Sequence, residues 1–191
     1  MAVFATFNPS DKDANVSLSW GNLTMTTSSA TWWCSRSTIW VSSWKWYWEI
    51  TNTTTLNQYW SRWVANLSAW LSNHVGSDIN WWWWYNDGSS TLKFNNNTPL
   101  VYGALSSSGD VIGFALDMNA GTLICYKNNV SQGTMYTGLT GTLYPMCAVN
   151  STSPTITANF WASPMTYTAP SWYNQWLYTG NITNSNFLMF F

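Results

Sequence analysis

Residues 109–130 constrain the fold more than any other stretch of the chain. Val111-Ile112-Gly113-Phe114-Ala115-Leu116-Asp117-Met118 and Thr122-Leu123-Ile124-Cys125-Tyr126-Lys127 are two β-rich runs, separated by Asn119-Ala120-Gly121. Branched and aromatic side chains suit a pleated, half-buried surface. Gly121 can take a positive φ without steric cost, which closes an antiparallel hairpin. Asp117 is placed to accept from the turn amides. Asn128-Asn129 marks a second tight turn, ahead of Val130-Ser131-Gln132-Gly133.

Nothing in the chain competes with this β signal. No window of helical length carries apolar residues at i, i+3, i+4 and i+7, and glutamate occurs once, at Glu49. Further strands are expected over 45–51, 144–149 and 155–160. The tracts 51–55 and 95–98 and the Ser/Thr-rich stretch 24–31 read as loops. At 191 residues the chain has room for one well-packed domain. The expectation is an all-β, two-sheet antiparallel β-sandwich over residues 1–181, with a short apolar tail at 182–191 that forms a last strand or docks on a neighbour.

Several function classes fall away on composition. Six Lys/Arg are scattered singly against seven Asp/Glu, and only 7% of residues are charged. A nucleic-acid groove needs clustered cations. No apolar run is long enough for a membrane helix, and the N-terminus lacks the basic and apolar regions of a secretion signal. Cys34, Cys125 and Cys147 form neither a CxxC nor an even-numbered framework, and Cys125 and Cys147 lie in apolar strands as small hydrophobes. His74 is the one histidine, so any triad or imidazole metal site would have to be built on it; a loop or half-buried role fits it better. Glu49, Asp110 and Asp117 each have a structural task available, which leaves no carboxylate pair for glycosidase chemistry. Asp11 and Asp13 with Asn8 and Asn15 lack EF-hand spacing and read as a solvated loop. No catalytic residue, metal or cofactor is expected.

The run 109–130 resembles the core signature of SPRY (B30.2-type) domains, a GDVIG…LD strand followed by a GTL…YKN strand. Three more segments fit in order: Lys45-Trp46-Tyr47-Trp48-Glu49-Ile50, then Gly76-Ser77-Asp78 through Tyr85, then Leu143-Tyr144-Pro145 with Ala158-Asn159-Phe160. The opening, Phe7 to Lys12, and the ending, Tyr173 to Gly180, are most similar to phage and prophage versions. The resemblance implies two curved antiparallel sheets of concanavalin-like jelly-roll type and recognition without catalysis. It implies as partner a protein, peptide or surface glycan, and as location a virion, a tail-associated assembly or the infected cell. Carried over by position, the binding loops would supply Ser35 and Arg36, Tyr85, and Asn150, Ser151 and Thr152. A purely structural sandwich that decorates an assembly or oligomerises through the 187–191 tail is the rival reading.

Seventeen tryptophans stand against eleven glycines. Trp20, Trp40, Trp44 and Trp172 sit among turn formers, where a small residue able to take positive φ is expected. Against the family pattern, Trp63, Trp81, Trp83, Trp161 and Trp176 also fall on glycine positions, whereas Trp46, Trp48 and Trp82 fall on aromatic ones. Three explanations compete: an aromatic binding face, a stacking platform for sugars, and glycine codons read as tryptophan.

Overall fold

The computed structural model describes residues 3–28, 31–53, 59–72, 78–86, 89–150, 155–175 and 177–178. Among them lie fourteen strands and no helix. In chain order these are β1 (Phe7–Lys12), β2 (Val16–Ser19), β3 (Thr24–Thr27), β4 (Trp33–Ser37), β5 (Lys45–Asn52), β6 (Tyr59–Ala65) and β7 (Trp81–Asn86), then β8 (Thr91–Asn95), β9 (Thr98–Val101), β10 (Val111–Asp117), β11 (Thr122–Lys127), β12 (Val130–Tyr136), β13 (Tyr144–Asn150) and β14 (Thr155–Asn159). They form two seven-stranded antiparallel sheets. The first runs β1-β4-β13-β6-β7-β8-β9, and the second β12-β11-β10-β5-β14-β3-β2. The expected two-sheet sandwich is what the chain builds.

The hairpin of β10 and β11 pairs Asp117 with Thr122 and Ile112 with Lys127. Its turn has the chemistry that its sequence implies: Asp117 Oδ1 accepts from the amides of Asn119 and Ala120, each at 3.0 Å. Gly121 is required twice over. Its φ is +64°, and a Cβ there would stand 2.7 Å from the carbonyl oxygen of Leu139. Asn128 and Asn129 also take the left-handed region, at 47° and 68°, and turn the chain into β12.

β5 lies beside β10, and alternation sorts their side chains. Trp46, Trp48 and Ile50 stand opposite Leu116, Phe114 and Ile112, and all six point into the core between the sheets. The Trp48 and Phe114 rings stack at 5.5 Å with an interplanar angle of 12°. Facing them from the first sheet are Val64, Trp84, Cys147 and Val149. The opposite row, Tyr47, Glu49 and Thr51, points outward. Gly113 stands opposite Glu49, and a Cβ there would come within 2.8 Å of the Tyr47 ring.

The outer face of the second sheet is covered by the chain's own closing segment. Met165, Ala169 and Tyr173 pack on Tyr47, Ala115 and Tyr126. The buried Glu49 carboxylate anchors that segment by accepting from the amides of Thr166 (2.7 Å) and Tyr167 (2.8 Å) and from the Tyr47 hydroxyl (3.2 Å). Asn174 then lies alongside Trp46 and exchanges backbone hydrogen bonds with Lys45 and Tyr47, each 2.8 Å. For this reason every residue of β10 is buried. At the two ends of the described residues, Phe4 bridges Tyr178 in antiparallel fashion, and the Ala5 amide donates to the Leu177 carbonyl at 2.8 Å.

Four loop expectations need correction. Thr51 and Asn52 end β5, and Asn95 and Thr98 belong to β8 and β9, which leaves only 96–97 as a turn. The stretch 24–31 is not all loop: Thr24–Thr27 is a strand whose Ser/Thr character hides its place between β14 and β2. Its first, second and fourth residues are buried. Asp11 belongs to β1, not to a solvated loop. The apolar tail 182–191 and His74 lie outside the described residues.

Candidate binding face

Strand parity decides what the first sheet presents. In β13, Cys147 and Val149 join the core, and Met146 and Ala148 turn outward. The register carries this across the sheet: Met146 stands opposite Arg36 and Trp63, Trp63 opposite Trp83, and Trp83 opposite Phe94. The next row runs through Cys34, Ala148, Ser61 and Tyr85. Directly opposed residues share a face, so Arg36, Tyr85 and Phe94 all lie on the outer side. Asn150, two residues beyond Ala148, has the same parity.

The outer face is aromatic. Trp32, just ahead of β4, meets Trp83 edge-on at a ring-centroid distance of 5.4 Å and Tyr85 at 5.5 Å. Trp83 lies 4.9 Å from Phe94 and 5.1 Å from Tyr85. Beneath them Trp63 and Trp81 are fully enclosed, their centroids 5.6 Å apart. Trp32, Tyr85 and Phe94 are half-buried.

At one side of this cluster stands an ion pair. Arg36 Nη1 lies 2.7 Å from Asp11 Oδ1, with the arginine side chain 3% and the aspartate 24% exposed. Arg36 Nε donates to the Asn66 carbonyl at 3.3 Å, and Nη2 donates to the carbonyls of Leu67 (3.1 Å) and Ala69. The 66–69 turn is itself fixed, because Asn66 accepts from the Ser68 amide and donates to the Asn80 side chain at 2.7 Å. A buried guanidinium needs such partners, since removing any one leaves charge without compensation.

The structure brings three of the six sequence-derived residues to one face. Arg36 does not sit on a polar loop as expected; it lies inside β4, buried, and shapes the surface from below. Ser35 has the opposite parity: it is fully buried between the sheets, and its hydroxyl donates to the Arg36 carbonyl at 3.2 Å. Tyr85 is half-buried within the aromatic cluster, and Asn150 is half-buried at the end of β13. Ser151 and Thr152 lie outside the described residues. Sequence reasoning missed Trp32, Phe94 and the role of Asp11. Period-two alternation on either side of Arg36 was the available signal for the last.

Among the described residues, the carboxylates and thiols have structural partners or are buried. Asp13 accepts from the Asn15 amide and Asp78 from the Asn80 amide. Asp110 binds Ser107, Asn128 and Lys127, and Asp117 binds its turn and Lys45. The three thiols are buried, and burial pushes Cys34 and Cys125 well up and Cys147 up to about 12, which keeps them protonated. On the core side of the sheet, Arg62 lies over the Trp84 ring at 5.1 Å, and burial lowers its pKa to about 10. Among the described residues no three His, Cys, Asp or Glu converge as a metal site. No helix among them is long and apolar enough to cross a membrane.

The solved structures that this chain resembles share the sandwich. It superposes on the SPRY domain of human HERC1 with a TM-score of 0.68 at 18% identity, covering 80% of this chain and 96% of that one. On the TRIM65 PSpry domain the TM-score is 0.67 at 15% identity, covering 82% and 92%. On stonustoxin it is 0.66 at 20% identity, covering 82% of this chain and 27% of that larger one. The SPRY domain family model matches residues 45–162, from the first residue of β5 to just past β14. That span holds the Gly109 hairpin, the tryptophan strands and the Glu49 anchor, and on it the chain belongs to the SPRY domain family.

Proposed function

We propose that this chain is a non-catalytic recognition module that takes a protein or peptide on the outer face of its first sheet, with surface glycan as the other ligand class that an aromatic face accepts. SPRY domains are protein-interaction modules. The observation that carries the reading is the cluster of Trp32, Tyr85 and Phe94, half-buried aromatic residues in mutual contact on the outer face that Arg36 shares. Clustered, well-packed aromatic side chains are what interface hot spots are made of. The outer face of the second sheet is occupied by Met165, Ala169 and Tyr173. Arg36 acts by holding the 66–69 turn in place, while Tyr85 and Asn150 offer contact atoms; Ser35 supports the strand from the core.

A place in a phage virion or tail-associated assembly, or in the infected cell, rests on the similarity of residues 7–12 and 173–180 to phage versions of the domain. The test is a combined peptide and glycan array probed with the full chain and with Tyr85→Ala. Binding that disappears in Tyr85→Ala, with an unchanged near-ultraviolet spectrum, is expected. Binding that survives the substitution removes this face from the account. An absence of any ligand, combined with loss of self-association on truncation at Asn181, favours the structural reading instead.

A further inference from the structure

Four tryptophans hold backbone conformations that belong to glycine. Trp20 (φ 52°), Trp44 (68°), Trp161 (83°) and Trp172 (72°) are all in the left-handed region. The other non-glycine residues found there are Asn22, Asn96, Asn97, Asn128 and Asn129, whose short polar side chain tolerates it. A bulky aromatic in that region is an outlier. The chain's own left-handed glycines span 64° to 85°, and Trp44, Trp161 and Trp172 fall inside that range. Trp161 and Trp172 lie beyond every asparagine, whose values end at 68°.

The backbone, not the indole, sets each of these corners. Trp172 is the third residue of a turn closed by the Tyr173 amide on the Pro170 carbonyl at 3.2 Å, the place where a type II turn takes positive φ and selects glycine. The Trp44 amide donates to Asn119 Oδ1 at 3.1 Å, and its carbonyl accepts from the Met118 amide at 2.8 Å. The Trp161 amide donates to Asn159 Oδ1 at 2.9 Å. Trp20 opens the β2–β3 turn, whose Leu23 amide donates to the Trp20 carbonyl at 3.3 Å. Three of the rings gain little for it: Trp20 is 85%, Trp172 77% and Trp44 46% exposed, while Trp161 is half-buried.

An aromatic binding face or sugar platform would gather its rings on one surface. These four sit at separate corners: the β2–β3 turn, the entry to β5, the exit from β14, and the turn at 170–173. Of the other tryptophans that the sequence singles out, Trp40, Trp63, Trp81 and Trp83 keep negative φ, and Trp176 lies outside the described residues. We propose that positions 20, 44, 161 and 172 are glycine in the protein as its source makes it, the codon UGA being read there as glycine instead of tryptophan.

Two measurements test this. The first reads the codons and the peptide masses of protein isolated from its source. UGA at all four positions with glycine masses is expected, against UGG at the core residues Trp46 and Trp48. UGG at any of the four, or a tryptophan mass there, overturns the proposal. The second compares two recombinant chains, one with tryptophan and one with glycine at the four positions. The glycine chain is expected to melt higher by at least about 8 °C. An equal or lower melting temperature overturns the strain argument.

Discussion

Removing the Glu49 carboxylate should loosen the segment that closes the second sheet. In the folded chain two backbone amides, Thr166 at 2.7 Å and Tyr167 at 2.8 Å, donate into one carboxylate that is 1% exposed. Glu49→Ala leaves both without an acceptor, and a buried donor left unsatisfied costs about 1–3 kcal/mol. Two such groups give roughly 2–6 kcal/mol if the segment stays docked. If it lifts away, the amides find water, but the packing of Met165, Ala169 and Tyr173 on Tyr47 and Ala115 is lost in exchange. Glu49→Gln separates the terms, because it keeps the shape and one carbonyl oxygen while turning an amide donor toward the second N–H. Its cost should be about half that of Glu49→Ala, roughly 1–3 kcal/mol. Urea unfolding gives the total, and amide hydrogen exchange at Thr166 and Tyr167 shows whether the loss is local. A Glu49→Ala chain within about 0.5 kcal/mol of the parent, the usual range of neutral surface changes, would refute the anchoring argument.

Two further outcomes follow from the hairpin and its ion pairs. Gly121→Ala combines a left-handed alanine with a Cβ 2.7 Å from the Leu139 carbonyl; a loss of about 2–4 kcal/mol is expected in thermal or urea unfolding, larger than the strain alone. Acid should weaken the fold through Asp110 and Asp117. Burial alone would raise both pKa values, but hydrogen bonds from Ser107, Asn128 and Lys127 on the first, and from Lys45, Ala120 and Asn119 on the second, outweigh it and hold them low. Groups depressed on folding stabilise the native state above their unfolded value and lose that contribution as pH falls through the folded one. The urea midpoint should therefore hold steady down to about pH 5 and drop below about pH 4, with a smaller drop in an Asp110→Asn, Asp117→Asn chain.

The hairpin was legible because its information is local. Asp117, Asn119 and Gly121 dictate a turn by their own chemistry, and the flanking β-rich runs fit no other element. β5 was legible as a β-rich run, Trp46-Tyr47-Trp48-Glu49-Ile50, dense in the aromatic residues that strands favour. β3 was not, since Thr24-Met25-Thr26-Thr27 becomes a strand only by pairing with β14 and β2, partners distant in sequence. The proposed binding face was harder still. Arg36 and Ser35 are adjacent in sequence, yet one strand sends them to opposite faces, and only the pairing with β13 shows which is which. Phe94 joins Tyr85 through the β7–β8 register, which no composition rule supplies. Trp20, Trp44 and Trp172 stand among turn formers that announce a positive φ locally, and their backbones take it; Trp161, singled out only against the family pattern, takes it as well. Trp40, which the same reasoning placed at a turn corner, has a backbone that asks for nothing special.

The antiparallel bridge of Phe4 with Tyr178 has a mechanical consequence. Phe4 and Tyr178 lie side by side, so a pull applied between those two residues loads their contact first and the Ala5 to Leu177 hydrogen bond next. Such loading opens pairs one after another, as a zipper does, and does not shear many at once. Tension between those residues would open this contact early and leave the β10–β11 hairpin and the core around Trp48 to yield last. Tension applied to a partner seated across the outer face would instead be carried by the β4–β13–β6–β7 strands together, with the load spread over the whole sheet.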